Sequence, residues 1–336
     1  MKQTTIIGKK KVGQGHSAFV IAEAGSNHDQ NLEQAKKLID VAARSGADAV
    51  KFQLFKAEVL NPVRDKIFDI IKSCEFPRKW LKELLNYAQK KGIIFLATPF
   101  DDEAVDLLDD AGVVAFKIAS SEVTNFSFLR HVAGKNKPII LSTGMSDMTD
   151  VSDAVSVIRQ SGNQDIVLLQ CSALYPTPHD KVHLKVMDTL RDTFGVPVGF
   201  SDHTLGILFP AVAVARGACM IEKHFTLDRN LPGPDHSYAI EPDELAQMVK
   251  DIRAVESSLG NPQKEFLPEE KSNTRRKSLF AARNLKPGEV LTMEDLSVHR
   301  PATGLPLRFL NSILGQKIVR SVKKDEPIAW EILGGK

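Results

Sequence analysis

Two histidines close two short apolar runs: His203 ends VGFSDH and His224 lies in CMIEKHF, with the helical stretch ILFPAVAVARGA between them. The pattern predicts strand–helix–strand, with both imidazoles at the C-terminal tips of neighbouring parallel strands ~4.8 Å apart. Two imidazoles so placed can share one divalent metal and leave coordination positions for substrate and water. A lone strand histidine is more often a hydrogen-bonded core residue. Two at matching positions of consecutive units leave both readings open. GPDH follows, a turn-forming stretch that carries Asp235 back towards the same rim.

Side chains two apart on a strand share a face. Applied along the chain, this rule collects a second set of polar residues. The first strand puts Glu23 on the face of Ile21; the second offers Lys51 and Gln53, the third Thr98, the fourth Lys117 and the fifth Ser142. The seventh gives Ser201 and His203, the eighth Glu222 and His224, and Ser120 and Glu122 follow the fourth strand at the mouth. A lysine within a buried parallel strand is costly unless paired or liganded. Two lysines with a ring of hydroxyls call for an anion. Lys51, Lys117, Ser120, Ser142 and Ser201 suit a phosphate plus a carboxylate, through positive charge and directional hydrogen bonds. Glu23 and Asp235 suit sugar hydroxyls or proton transfer; a structural ion pair is equally open to each taken alone. His179 and His183 stand four apart but have no glutamate between them, and read as solvated helix-start residues.

The elements that must position these residues repeat. Apolar runs at 20–25, 49–53, 93–99, 115–120, 138–144 and 166–171, and then the two histidine runs, alternate with amphipathic helical stretches, among them 181–193. Eight strand–helix units over about 240 residues match the size of a (β/α)8 barrel. The near-continuous apolar strands fit a parallel sheet covered on both faces. A doubly wound open sheet is the alternative; eight uninterrupted units favour closure. Residues 4–18 predict a hairpin. The glycines of Gly13-Gln-Gly15 precede a strand rather than follow one, so they lack dinucleotide-binding geometry. The two long connections, 54–76 and 172–180, both fall on the C-terminal face, where such barrels keep their sites. The expected organisation is a barrel domain at 1–258, a Pro- and charge-rich linker at 259–272, and a small β-rich domain at 273–336.

The 336 residues are 43% hydrophobic with a net charge of +2. That balance gives no electrostatic case for nucleic acid or an anionic membrane as partner. Cys74, Cys171 and Cys219 form no CxxC, which argues against a disulfide framework or a thiolate zinc site and for a reducing compartment. With neither a signal-peptide segment nor a membrane-length apolar run, the reading is a soluble cytoplasmic protein.

The motifs resemble a known family, the sialic acid synthases, which condense phosphoenolpyruvate with an N-acylated hexosamine. IAEAGSNHD, DAVKFQ, ATPFD, FKIASSE, LSTGMS, YPTP, GFSDHT, IEKHFTLD and GPDH occur in that family's order. The terminal segment, from SLFAARNLKPGEVLTMEDLSVHRP to LGQKIVRSVKKDEPI, resembles its antifreeze-like (SAF) domain. The resemblance implies a TIM barrel followed by that domain. His203 and His224 would bind a divalent metal, usually Mn2+, with Mg2+ or Co2+ as alternatives. Lys51, Gln53, Lys117, Ser120, Ser142 and Ser201 would hold phosphoenolpyruvate, and Thr98 would line the pocket. Glu23, Tyr175 and Asp235 would face the sugar and a catalytic water, with Glu122 nearby for proton transfer. Arg300 would reach from a partner subunit's SAF domain to the sugar's acyl amide, which implies a domain-swapped homodimer. Read without the family, Arg300 is surface charge. The implied product is N-acetylneuraminate from N-acetylmannosamine; the alternative is a legionaminic- or pseudaminic-type acid from a 6-deoxy-2,4-diacetamido hexose. A metal-dependent aldolase and a non-catalytic sugar-binding protein are the competing classes. The family commonly carries Asn-His-Asn-Gly where this chain has Asn27-His28-Asp29-Gln30, a departure on the sugar side.

Overall fold

The computed structural model describes residues 4–271 and 275–334. The junction expected between linker and terminal domain falls at residues 272–274, outside the described residues, as do the two chain ends at 1–3 and 335–336. The chain forms two compact units, 1–260 and 261–336.

The first unit opens with an antiparallel hairpin, β1 (Thr4–Ile7) and β2 (Lys10–Gly13). Eight strands follow: β3 (Phe19–Gly25), β4 (Ala49–Leu54), β5 (Ile94–Pro99), β6 (Phe116–Ile118), β7 (Ile139–Ser142), β8 (Ile166–Cys171), β9 (Val198–Asp202) and β10 (Met220–His224). All of their ladders are parallel, in the order β5-β4-β3-β10-β9-β8-β7-β6, with β5 and β6 neighbours across the seam. This is a nearly closed (β/α)8 barrel.

The helices form where the sequence pattern places them. Residues Leu32–Arg44 bury Ala35, Leu38, Ile39 and Ala42 on one face, and the Asn31 side chain accepts the backbone N–H groups of Glu33 and Gln34 at the N-cap. The last helix, Pro242–Leu259, starts with a proline in its first turn and a Glu241/Glu244 capping box. One expected helix is shorter than its pattern. Residues 181–193 begin as a 3-10 turn, His179–Lys181, and become α-helical from Val186 to Phe194, because His183 adopts φ +49 and interrupts the run. His179 and His183 therefore do not share a helical face.

Two apolar layers result. Outward strand residues such as Val20, Val50, Leu168 and Ile221 pack against the helices. Inside the barrel, towards its N-terminal end, Ile21, Ala49, Leu96, Ile140, Val167 and Met220 meet Ile7 and Val12 of the hairpin. The hairpin thus seals that end. No helix among the described residues is long and apolar enough to cross a membrane.

The second unit pairs β11 (Ser278–Ala281) with β12 (Leu296–His299) and adds isolated bridges such as Leu285 to Val322 and Ile318 to Leu333. Leu279, Leu285, Leu291, Ile313, Ile318, Val322 and Ile328 form its core. Arg300 follows β12 and is exposed.

Candidate active site

The inward positions change character in one two-residue step towards the C-terminal face. Ile21 gives way to Glu23, Ala49 to Lys51, Leu96 to Thr98, Ala115 to Lys117, Ile140 to Ser142, Leu169 to Cys171 and Met220 to Glu222. The upper ring lines a cavity of about 230 Å³ together with Gln53, Ser120, Tyr175, Ser201, His203 and His224.

At its floor are two lysines and two glutamates, all buried. Lys51 Nζ donates to Thr98 Oγ1 at 2.9 Å and lies 2.9 Å from Glu23 Oε2 and 3.5 Å from Glu222 Oε2. Lys117 Nζ lies 3.2 Å from Glu222 Oε1, which also accepts Ser201 Oγ at 2.9 Å. Gln53 Nε2 donates to Glu23 Oε1 at 2.8 Å. Burial alone would lower both lysines. Glu222 and Glu23 overcome it at Lys51, which stays above the usual ammonium range. At Lys117 burial wins over its one close carboxylate, and its pKa is lowered. Burial raises Glu222, but Lys117 and Lys51 outweigh it and hold this group below the usual carboxylate range. The floor therefore balances two positive against two negative charges. One group is left over: Ser142 Oγ is buried without a hydrogen-bond partner. Ser120 Oγ accepts the Gly144 N–H at 2.9 Å, which fixes it at the cavity wall.

The histidines sit one strand step above. His203 Nδ1 lies 3.0 Å from the Ser172 carbonyl, so this nitrogen carries the proton and donates, and Nε2 keeps its lone pair free. Burial first, then the neighbouring His224, push His203 down to about 3. The ring is neutral at ordinary pH, the state a metal ligand needs. The two ring centroids are 5.5 Å apart. His224 Nδ1 is buried without a hydrogen bond and lies 3.9 Å from Asp235 Oδ2. The Tyr175 ring lies tilted against His203, with centroids 4.2 Å apart, and Tyr238 OH donates to Asp235 Oδ1 at 2.7 Å. Among the described residues no group of three or more His, Cys, Asp or Glu side chains is arranged around one metal position. The orphaned His224 nitrogen and the free His203 Nε2 fit a cation held by two imidazoles, with its remaining positions filled by substrate and water.

Of the residues singled out from sequence, Glu23, Lys51, Gln53, Thr98, Lys117, Ser120, Ser142, Tyr175, Ser201, His203 and His224 line one cavity. Asp235 stands at its edge. Glu122 is turned away: its oxygens accept Ser121 Oγ at 3.1 Å and Asn125 Nδ2 at 2.9 Å, at the start of the helix Phe126–Ala133. Arg300 belongs to the second unit.

Two features were not assigned from sequence. Glu222 had the right alternation, but its bridging of both lysines is a tertiary fact. The departing tetrapeptide is the other. Asp29 and Gln30 adopt φ +48 and +50, a conformation the family's Asn-Gly would take with less strain. Asp29 Oδ1 accepts from His236 Nε2 at 2.9 Å, and His236 Nδ1 meets Thr226 Oγ1 at 2.6 Å. The loop after β3 is thereby tied to the loop that carries Asp235.

The NeuB family matches over residues 38–264 and the SAF domain over 276–333. An N,N'-diacetyllegionaminic acid synthase of Campylobacter jejuni is 42% identical over 92% of this chain and 98% of its own length. The human N-acetylneuraminate-9-phosphate synthase is 34% identical over 96% of this chain and 94% of its own length. Among solved structures, the N-acetylneuraminic acid synthetase of Leptospira borgpetersenii, in complex with citrate, superposes with a TM-score of 0.77. It is 36% identical, and the match covers 81% of this chain and 95% of that one.

Proposed function

The chain belongs to the NeuB family of phosphoenolpyruvate-dependent nonulosonic acid synthases, and on that premise we propose that it condenses phosphoenolpyruvate with a 6-deoxy-2,4-diacetamido hexose to give a legionaminic-type acid and inorganic phosphate. The observation that carries the chemistry is the cavity floor: two buried lysines and an unpartnered buried hydroxyl, Ser142 Oγ, facing one chamber. Glu23 and Glu222 balance the lysine charge in the free protein, and the ammonium and hydroxyl donors suit the phosphate and carboxylate of phosphoenolpyruvate.

The motif resemblance alone favours N-acetylmannosamine. The higher identity to the legionaminic acid synthase than to the human enzyme moves the reading to the diacetamido sugar. N-acetylmannosamine remains the second reading, favoured by the structural match to the Leptospira synthetase.

In the proposed reaction Lys51, Lys117, Ser142 and Ser201 hold phosphoenolpyruvate low in the barrel, with its C3 facing up towards the histidines. His203 and His224 would hold a divalent metal, Mn2+ in our reading, which would supply Lewis acidity towards the aldehyde of the open-chain sugar. C3 attacks the aldehyde carbon, and positive charge develops at C2. Water adds at C2; in this reading Glu23 takes its proton, and the former aldehyde oxygen, left as an alkoxide by the C3 attack, gains one to become a hydroxyl. The tetrahedral intermediate then breaks its C–O bond to phosphate and leaves a 3-deoxy-2-ulosonic acid. Holding both substrates in one chamber removes much of the entropic barrier. Asp235 and Tyr175 face the sugar. Arg300 of a partner subunit contacts its acyl group, in a homodimer that light scattering would detect.

The test is phosphate release from phosphoenolpyruvate with Mn2+, using each sugar, no sugar, and the His203→Ala variant. Release that needs the diacetamido sugar and the metal, and is lost in the variant, supports the whole reading. Release with N-acetylmannosamine alone changes the product. Silence with every sugar, from folded metal-loaded protein, removes the synthase reading.

A further inference from the structure

A second buried ion pair lies behind the histidines, on the side of the strands that faces the helices. Lys223 sits between Glu222 and His224 on β10, and Asp202 between Ser201 and His203 on β9. Strand alternation turns both away from the cavity. The two are direct partners in the parallel ladder, and both are buried. Lys223 Nζ lies 2.7 Å from Asp202 Oδ2 and also donates to the Thr204 carbonyl. Asp202 in turn accepts the Thr204 N–H at 2.9 Å and its hydroxyl at 3.2 Å.

We propose that Lys223 and Asp202 form a strut that fixes the position of His203 relative to His224, acting as positioning residues for the metal site. β9 ends at Asp202, so His203 has no ladder partner of its own. Its backbone is held on one side by the strand and on the other by Thr204, which the pair grips at three points. The remaining supports come from the 172–180 connection: Thr177 N–H donates to the His203 carbonyl at 2.8 Å, and the Ser172 carbonyl takes the ring proton. Stability alone is a weak reason for burying the pair. Burying two charges is expensive, and replacing such pairs by apolar residues often leaves a fold as stable as before. The pair supplies direction instead: a lysine that reaches across the ladder to the carbonyl of the residue after His203 sets where that imidazole points. Groups behind metal ligands commonly alter metal affinity by about 10–100-fold.

The inference rests on the metal reading of the two histidines, and the experiment separates the two. Metal-free full-length protein is titrated with Co2+, following calorimetry and the visible absorption of bound cobalt; phosphoenolpyruvate affinity without metal is the control. Three proteins are compared: wild type, the double variant Lys223→Met/Asp202→Leu, and Thr204→Val, which keeps the ion pair and removes one grip. The double variant should bind Co2+ about 10–100-fold more weakly, with a changed spectrum and unchanged phosphoenolpyruvate affinity. Thr204→Val should show the same change to a lesser degree, and it decides the matter alone if the double variant does not fold. Wild-type affinity and spectrum in the folded variants would overturn the strut and leave the metal reading standing. A wild-type protein that binds no Co2+ would overturn both.

Discussion

Glu222 Oε1 lies 3.2 Å from Lys117 Nζ, while the other oxygen of the same carboxylate lies 3.5 Å from Lys51 Nζ. One side chain thus bridges both cations of the cavity floor. Cutting a buried ion pair on one side typically costs about 3–5 kcal/mol, because the other charge is stranded. Glu222→Gln should lower the melting temperature. Phosphoenolpyruvate, by supplying the missing negative charge, should raise that temperature more in the variant than in wild type. Thermal melts with and without phosphoenolpyruvate check this; equal shifts in both proteins would contradict it.

Ser142→Ala should separate stability from binding. The hydroxyl is buried without a partner, so removing it relieves an unsatisfied group and leaves stability unchanged or slightly higher. If it donates to the bound anion, the KM for phosphoenolpyruvate should rise about tenfold, as expected for one hydrogen bond to a charged group. Steady-state kinetics and a denaturation curve on the same preparation give both numbers.

Gly25 has φ +52, and a Cβ built there would meet Asp235 Oδ2 at 3.0 Å and the His224 ring at 3.5 Å. Gly25→Ala combines left-handed strain of about 1–2 kcal/mol with displacement of Asp235. Folded protein with sharply reduced turnover is expected, and circular dichroism beside the phosphate-release assay distinguishes that from unfolding.

His28 predicts an acid sensitivity. Its ring packs among Phe52, Phe76 and Trp80, and its Nδ1 accepts the Gln30 N–H, so the fold holds it neutral. Burial pushes it down to about 4 despite the nearby Asp29. The unfolded chain takes up a proton near 6.5 that the folded chain refuses until about 4. Stability is therefore full above pH 6.5 and declines as pH falls towards 4, by up to about 3 kcal/mol from this group. Urea unfolding at pH 7 and pH 5 should show the slope, and His28→Phe should flatten it.

The ring of polar residues was legible because a barrel strand makes side-chain direction a matter of parity. Ile21 to Glu23 and Ala49 to Lys51 are visible as changes of type two residues apart. What parity does not reveal is partnership. Parity turns Glu222 inward but does not name its two lysines, and Lys223 falls on the opposite parity, outside that ring, although it is as buried as Lys51. Glu122 stands after a strand so short, β6, that alternation no longer fixes its direction. Its carboxylate was captured locally by Ser121 and Asn125. The His183 conformation that delays the helix at 186 also left no mark in a pattern built on apolar spacing.

Among the described residues, the hairpin packs Ile7 and Val12 into the lower barrel and closes that end, so the chamber's doorway lies at the strand tips. Traffic through one doorway has an order. A molecule bound beside Lys51 and Lys117 lies deeper than one bound beside His203 and His224, so the deeper guest must arrive first. An upper guest seated first would stand in the path of the lower one.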